Sequence, residues 1–305
     1  MKIVFMGTPE YATKIFAKLV EQADFEVVLL VTQQDKPVGR KQVLTPPNIK
    51  QWANEHLLDI EIYQPKTLKN EETQAHIASF APDFIVVAAY GQILPKAILD
   101  IAPCINLHAS LLPKYRGASP IQSAILNQEI YSGVTAMLMN EGLDTGKILS
   151  MSYIQTRDKC VDALFDEMSE CAATLTLATL RNFNSISPLS QVDTNATHCK
   201  KIKKEDGLIN FTDESAYTLY VKSLAYKDWP GIFLDSGLKL RGVSVFNKHK
   251  QEEPLKILSI HKSGIEVACK QGTVLINELQ PVSKKFICSL DYINGKRLSV
   301  GDILV

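Results

Sequence analysis

The chain has 305 residues, 46% of them apolar and 22% charged. That is the composition of a folded globular protein, and the length exceeds what one hydrophobic core usually fills, so two domains are expected. No apolar run approaches the roughly 18 residues of a membrane span, and Lys2 to Met6 is too short and too poorly flanked for a signal peptide, which predicts a cytoplasmic protein.

Lys2 to Met6 reads as a buried strand of the parallel type, ended by Gly7-Thr8-Pro9. Tyr11 to Val20 places apolar residues at helical spacing and Phe25 to Thr32 is a second strand, so the chain opens with a βαβ unit. Gly7-Thr-Pro-Glu-Tyr-Ala lacks the second and third glycines of a dinucleotide-binding turn, and no Gly-x-x-x-x-Gly-Lys-[Ser/Thr] loop occurs. Neither a dinucleotide nor ATP is therefore expected, and Gly7 reads as the residue that permits a tight strand-to-helix turn. Gln33 to Ile49 is a polar connection longer than strand–helix links usually are, of a kind that often serves function. Further strands at Ile60 to Tyr63, Asp83 to Ala89, Cys104 to His108, Thr135 to Met139 and Ile148 to Ile154, then a helix from about Cys160 to Phe183, complete an α/β domain with a Rossmann-like parallel sheet.

Within Cys104 to His108, period-two alternation sends Asn106 and His108 to one face of the strand. Pro113, Gly117 and Pro120 follow, so the chain turns over the carboxyl end of that strand, where open α/β sheets bind ligands. An amide donor and an imidazole projecting together there suit a developing oxyanion, an arrangement in which loss of one donor typically costs about 100- to 1000-fold in rate. Asp144, in Gly142-Leu-Asp-Thr-Gly146, supplies a carboxylate to orient the imidazole. Taken alone, an Asn-x-His on a strand is more often a satisfied polar pair.

Six cysteines, at 104, 160, 171, 199, 269 and 288, show no Cys-x-x-Cys spacing and read as reduced thiols, which argues against a disulfide framework or structural zinc. Net charge is zero overall but uneven: residues 1–188 carry 16 basic against 20 acidic residues, a balance of −4, and 189–305 carry 17 against 13, or +4. A small positive excess is compatible with a phosphate-backbone partner. Leu189 to Lys204 turns polar and aperiodic and ends in Lys200-Lys-Ile-Lys-Lys204. It reads as a basic linker over 189–206 between domains at 1–188 and 207–305. Ser215 to Leu224 is helix-like, and short strands from Trp229 to Leu234, Leu238 to Val245, Pro254 to His261, Gly264 to Cys269 and Thr273 to Pro281 suggest a small β-barrel.

His108-Ala-Ser-Leu-Leu-Pro-Lys-Tyr-Arg-Gly117, Gly133-Val-Thr135 and Gly142-Leu-Asp-Thr-Gly146, in that order and spacing, resemble the formyltransferases that use 10-formyltetrahydrofolate. Met6-Gly-Thr-Pro-Glu10 and Thr32-Gln-Gln-Asp-Lys-Pro-Val-Gly-Arg40 are similar to the members of that family acting on methionyl-tRNA. The resemblance runs essentially end to end and is strongest over residues 1–153. It implies transfer of a formyl group from 10-formyltetrahydrofolate, a co-substrate, to the α-amine of methionyl initiator tRNA for translation initiation, by a monomer that needs no metal. Asn106, His108 and Asp144 then take the catalytic roles. Ser110, Leu111, Leu112 and Pro113 line the folate pocket, with Tyr90, Gly91, Gln92 and Ile93 against the pterin edge. Arg40 and Lys41 in the long loop, and Lys201 and Lys203 in the linker, contact tRNA, and the second domain is an oligonucleotide-binding (OB-like) barrel. Lys114 and Arg116 are left between the folate tail, an RNA phosphate and solvent.

The chain departs from the family pattern twice. The usual Gly-Arg-Gly-Lys-Lys is Gly39-Arg40-Lys41-Gln42-Val43, with one glycine and one basic residue fewer, and Pro-Trp-Pro-Gly is Asp228-Trp229-Pro230-Gly231. Three alternatives stay open: a sugar-nucleotide N-formyltransferase with the same trio, a formyltetrahydrofolate hydrolase that uses water as acceptor, and a noncatalytic RNA-binding protein.

Overall fold

Strand β1 (Lys2–Gly7) opens the chain in the computed structural model, which describes residues 1–39 and 41–304. Ile3, Val4, Phe5 and Met6 are all fully enclosed, as expected of a strand covered on both faces. Helix α1 (Glu10–Val20) follows, its first turn closed by the Pro9 carbonyl, which accepts from the N–H groups of Ala12 and Thr13. Its buried stripe, Tyr11, Ile15, Phe16 and Leu19, has the spacing of one helix face, and Phe16 meets Phe5 with ring centroids 5.4 Å apart. A Cβ on Gly7 would fall 2.5 Å from Ala12 Cβ and 2.8 Å from the Phe5 ring. Close packing of helix on strand, and not a left-handed turn, is what requires glycine there.

The chain continues through β2 (Glu26–Val31), a hairpin of β3 (Lys36–Val38) and β4 (Val43–Thr45), α2 (Asn48–Glu55), β5 (Glu61–Tyr63), α3 (Glu71–Ser79), β6 (Phe84–Ala88), α4 (Lys96–Leu99) and β7 (Cys104–His108). Then come β8 (Arg116–Gly117), α5 (Pro120–Leu126), β9 (Tyr131–Leu138), β10 (Lys147–Gln155) and α6 (Val161–Arg181). Among the described residues seven strands form one sheet in the order β10-β9-β7-β6-β1-β2-β5. The five from β7 to β5 pair in parallel, whereas β9 runs antiparallel to β7 and β10 antiparallel to β9. The expected parallel sheet is thus a parallel core extended by an antiparallel edge pair.

From β1 the chain winds outward to β2 and β5, then returns to the other side of β1 with β6 and β7. The reversal falls between β1 and β6, and in open α/β sheets the carboxyl ends of the strands at such a reversal are the usual ligand position. Thr8 Oγ1, just past β1, donates to the Tyr90 carbonyl just past β6 across this reversal, at 3.2 Å.

In the later part, β11 (His198–Cys199) precedes α7 (Ala216–Ala225), whose N-cap Ser215 accepts from the Thr218 N–H. Strands β12 (Ile232–Phe233), β13 (Lys239–Asn247), β14 (Ile257–His261), β15 (Gly264–Ala268), β16 (Thr273–Gln280) and β17 (Ile287–Cys288) make a six-stranded antiparallel sheet, followed by helix α8 (Ser289–Lys296). Ile257, Ile265, Val267, Val274, Ile276 and Leu279 are fully enclosed within it.

Two units divide the chain: Met1–Pro120 with Ile130–Gln155 and Phe165–Lys200, and Ile121–Glu129 with Thr156–Leu164 and Lys201–Val305. The units divide the chain elsewhere than composition does. The polar run 189–200 belongs to the first unit, because its backbone is paired there: Leu189 exchanges two hydrogen bonds with Ile148, and β11 pairs in parallel with β8.

Candidate active site

Asn106 and His108 share one face of β7, which lies between β6 and β9. Asn106 is half-buried, and among the described residues its carboxamide has no hydrogen-bond partner, so its donors are open to a ligand. His108 is nearly enclosed, at 7% exposure. Its Nε2 lies 3.0 Å from the Tyr115 carbonyl oxygen, and since a carbonyl can only accept, Nε2 carries the proton of that bond. Nδ1 faces Asp144 Oδ2 at 3.8 Å.

Asp144 reaches this position by an indirect route. The strand before it, β9, is antiparallel to β7, with Thr135 opposite His108 and Leu138 opposite Ile105. Strand β9 therefore ends beside the start of β7, and the turn after it has to fold back toward His108. Asn140 Oδ1 accepts from the Gly142 N–H and Thr145 Oγ1, and Asp144 sits at φ 54°, a left-handed conformation that aspartate tolerates better than most residues. Its Oδ2, the same oxygen that faces His108, accepts from the Gly117 N–H at 2.8 Å.

The turn between β7 and β8 is shaped by Thr135, whose hydroxyl donates to the Ser110 carbonyl at 2.7 Å and accepts from the Leu112 N–H at 3.0 Å. Ser110 Oγ in turn donates to the Lys114 carbonyl at 2.6 Å. Gly117 permits the tight approach of β8 to β11: its φ is 124°, and a Cβ there would lie 2.1 Å from the Cys199 carbonyl oxygen.

Of the residues expected to line a folate pocket, Ser110 is fully enclosed, and Leu112 and Tyr90 nearly so. Gly91 and Ile93 are exposed, and Leu111, Pro113 and Gln92 are half-buried. Arg116, read as facing folate, phosphate or solvent, is instead buried and bonded to Gln191 and Asp193. Arg40 lies outside the described residues. Lys41 is exposed at the β3–β4 hairpin, and Lys201 and Lys203 are exposed in the second unit, whereas the trio belongs to the first.

Gln191 went unread in the sequence, since it sits in an aperiodic polar run that carries no signal of a role. Its Nε2 donates to the carbonyls of Asp144 (2.8 Å) and Gly146 (2.7 Å), and its Oε1 accepts from Arg116 Nε (3.0 Å) and Nη2 (2.8 Å).

A formyl transferase family model matches residues 1–170, and a formyl transferase C-terminal domain model matches residues 201–297. A methionyl-tRNA formyltransferase of Nitratiruptor sp. is 54% identical over 304 residues, covering 99% of both chains. In fold, the chain is similar to HypX of Aquifex aeolicus solved with tetrahydrofolic acid, with TM-score 0.67 at 15% identity, covering 100% of this chain and 49% of that one. It is also similar to an N-formyltransferase of Helicobacter canadensis solved with folinic acid and dTDP-3-aminofucose, with TM-score 0.64 at 16% identity, covering 90% and 98%. The chain belongs to the formyl transferase family, on the branch whose curated members are named methionyl-tRNA formyltransferases.

Proposed function

We propose that this protein transfers the formyl group of 10-formyltetrahydrofolate to the α-amine of methionine esterified to initiator tRNA, acting as a monomer in the cytoplasm. The observation that carries the reading is the 54% identity to a methionyl-tRNA formyltransferase over 99% of both chains. The likeness to a sugar-nucleotide enzyme is one of fold, and fold does not select the acceptor.

The co-substrate supplies a formyl carbon already activated for attack by an amine. Its fit is supported by the loop after β6, where Gly91 takes φ 85° and Ile93 exposes 76% of its surface, an apolar platform suited to a flat pterin ring. As the amine nitrogen bonds to the formyl carbon, the bond from that carbon to the folate nitrogen breaks, and one proton passes from the amine, by way of His108, to the departing folate nitrogen. Asn106 donates from its unpartnered carboxamide to the formyl oxygen, where negative charge grows; one such donor is worth about 3 to 4 kcal/mol of barrier. His108 has Nε2 committed to the Tyr115 carbonyl, so the proton is received at Nδ1, and the carboxylate of Asp144, 3.8 Å away, balances the resulting cation. Arg40, Lys41, Lys201 and Lys203 meet RNA phosphates, and the six-stranded sheet serves as an OB-like platform for the backbone.

The test is formyl transfer from 10-formyltetrahydrofolate to methionyl initiator tRNA, run beside a nucleotide-linked amino sugar and a no-acceptor control. Transfer to the tRNA alone is expected. Transfer to the sugar, or release of formate without an acceptor, would overturn the translational role and keep the trio.

A further inference from the structure

A turn that folds back on its own strand and holds a non-glycine residue at φ 54° needs an anchor, since such conformations persist only where their surroundings impose them. Both hydrogens of the Gln191 amide are used on this turn, at the carbonyls of Asp144 and Gly146, and its oxygen takes two N–H groups from Arg116. A flipped amide would set its NH2 against the guanidinium and its oxygen against two carbonyls, so the orientation is unambiguous. Arg116 is itself 4% exposed, and its Nη2 also meets Asp193 Oδ1 at 2.8 Å. Burying a guanidinium is costly, and an apolar side chain would fill the space with less penalty. What the guanidinium adds is a pair of N–H groups aimed at one oxygen, which locks the amide.

The lock reaches both nitrogens of His108. Arg116 stands in sequence between Tyr115, whose carbonyl receives Nε2, and Gly117, whose N–H holds the Asp144 carboxylate. The same stretch is fixed from the 189–199 run, where Thr197 accepts at Oγ1 from the Tyr115 N–H (2.8 Å) and at its carbonyl from the Arg116 N–H (2.9 Å). We infer that Gln191 is a positioning residue for formyl transfer: it holds the Asp144 turn against His108 and, through Arg116, holds the Tyr115 carbonyl on the same imidazole. This rests on the reading of Asn106, His108 and Asp144 as the transfer site.

Gln191→Glu keeps an oxygen for Arg116 and removes both donors to the turn. With a misplacement of about 1 Å able to cost about 100-fold, kcat should fall roughly 10- to 100-fold while KM for both substrates stays within about threefold. The ring 1H–15N signals of His108 should move toward those of Asp144→Ala, and the double variant should be no slower than Asp144→Ala alone, because the two act as one unit. Wild-type His108 signals in Gln191→Glu, or losses that multiply in the double variant, overturn the proposal. Should Gln191→Glu fail to fold, Gln191→Met, which removes the donors without adding charge, is read in the same way. The His108 signals need no acceptor, so a protein that formylated something other than tRNA would sink the acceptor reading and leave this test intact.

Discussion

Gly117 gives its N–H to Asp144 Oδ2 at 2.8 Å, and that same oxygen stands 3.8 Å from His108 Nδ1. The carboxylate is thus fastened by the backbone and only faces the imidazole, which separates its position from its charge. Asp144→Asn keeps an oxygen for Gly117 and discards the charge. We expect kcat to fall on the order of 100-fold or more, with KM for both substrates nearly unchanged. Steady-state kinetics at wild-type kcat would mean that position alone matters.

Asn106 gives a complementary case. Its carboxamide has no partner among the described residues, so Asn106→Ala removes no native hydrogen bond. Unfolding stability should change by no more than about 0.5 kcal/mol, while turnover drops about 100- to 1000-fold. Thermal melts and kinetics measured on one preparation decide this. A large loss of stability accompanying the loss of rate would make Asn106 a structural residue.

At the base of the β3–β4 hairpin, Asp35 accepts from Gln64 Nε2 at 2.8 Å and from Lys50 Nζ at 3.0 and 2.9 Å. The Gln64 hydrogen bond, then that of Lys50, holds its carboxyl below the usual range. A carboxylate whose pKa is lower folded than unfolded stabilises the fold above the unfolded value, about 3.9, and that contribution disappears as pH falls through the lower, folded value. Asp35→Asn should therefore be less stable than wild type at pH 6, with the gap narrowing below pH 4. Urea unfolding across that range is the measurement, and a gap independent of pH would remove the linkage.

Much of this architecture was legible beforehand, because burial dictates pattern. The enclosed strand at Lys2–Gly7 and the amphipathic stripe of Glu10–Val20 announce themselves through apolar spacing, and the alternation in Cys104–His108 sends Asn106 and His108 to one face. Backbone pairing without an apolar pattern is silent in sequence. The two-residue pair of Arg116–Gly117 with His198–Cys199 is of this kind, as is the exposed hairpin at Lys36–Thr45. Polar side chains that bond to main-chain carbonyls or to one another leave no periodicity either, which is why Gln191 reads as linker and Arg116 as a side chain free for folate, an RNA phosphate or solvent. The antiparallel course of Tyr131–Leu138 was hidden for a third reason: strand direction follows from chain connectivity in space, not from residue type.

Lys201 and Lys203 are exposed. Reversing both to glutamate should weaken tRNA binding and reduce the slope of log K against log salt by roughly 1 to 2, as expected for two lost phosphate contacts. Binding isotherms between 50 and 200 mM salt provide the readout, with unaltered affinity and slope marking these lysines as solvated surface.

The run from Leu189 to Cys199 falls between the two segments that the family models match, residues 1–170 and 201–297. A fragment trimmed at either the end of the first segment or residue 188 would retain Asn106, His108 and Asp144 yet discard Gln191, Thr197 and Cys199. Domain swaps between relatives should accordingly be spliced after Lys200, where the first unit ends. A chimera joined earlier would borrow another protein's strip to seat its own Asp144, and its modularity would be only apparent.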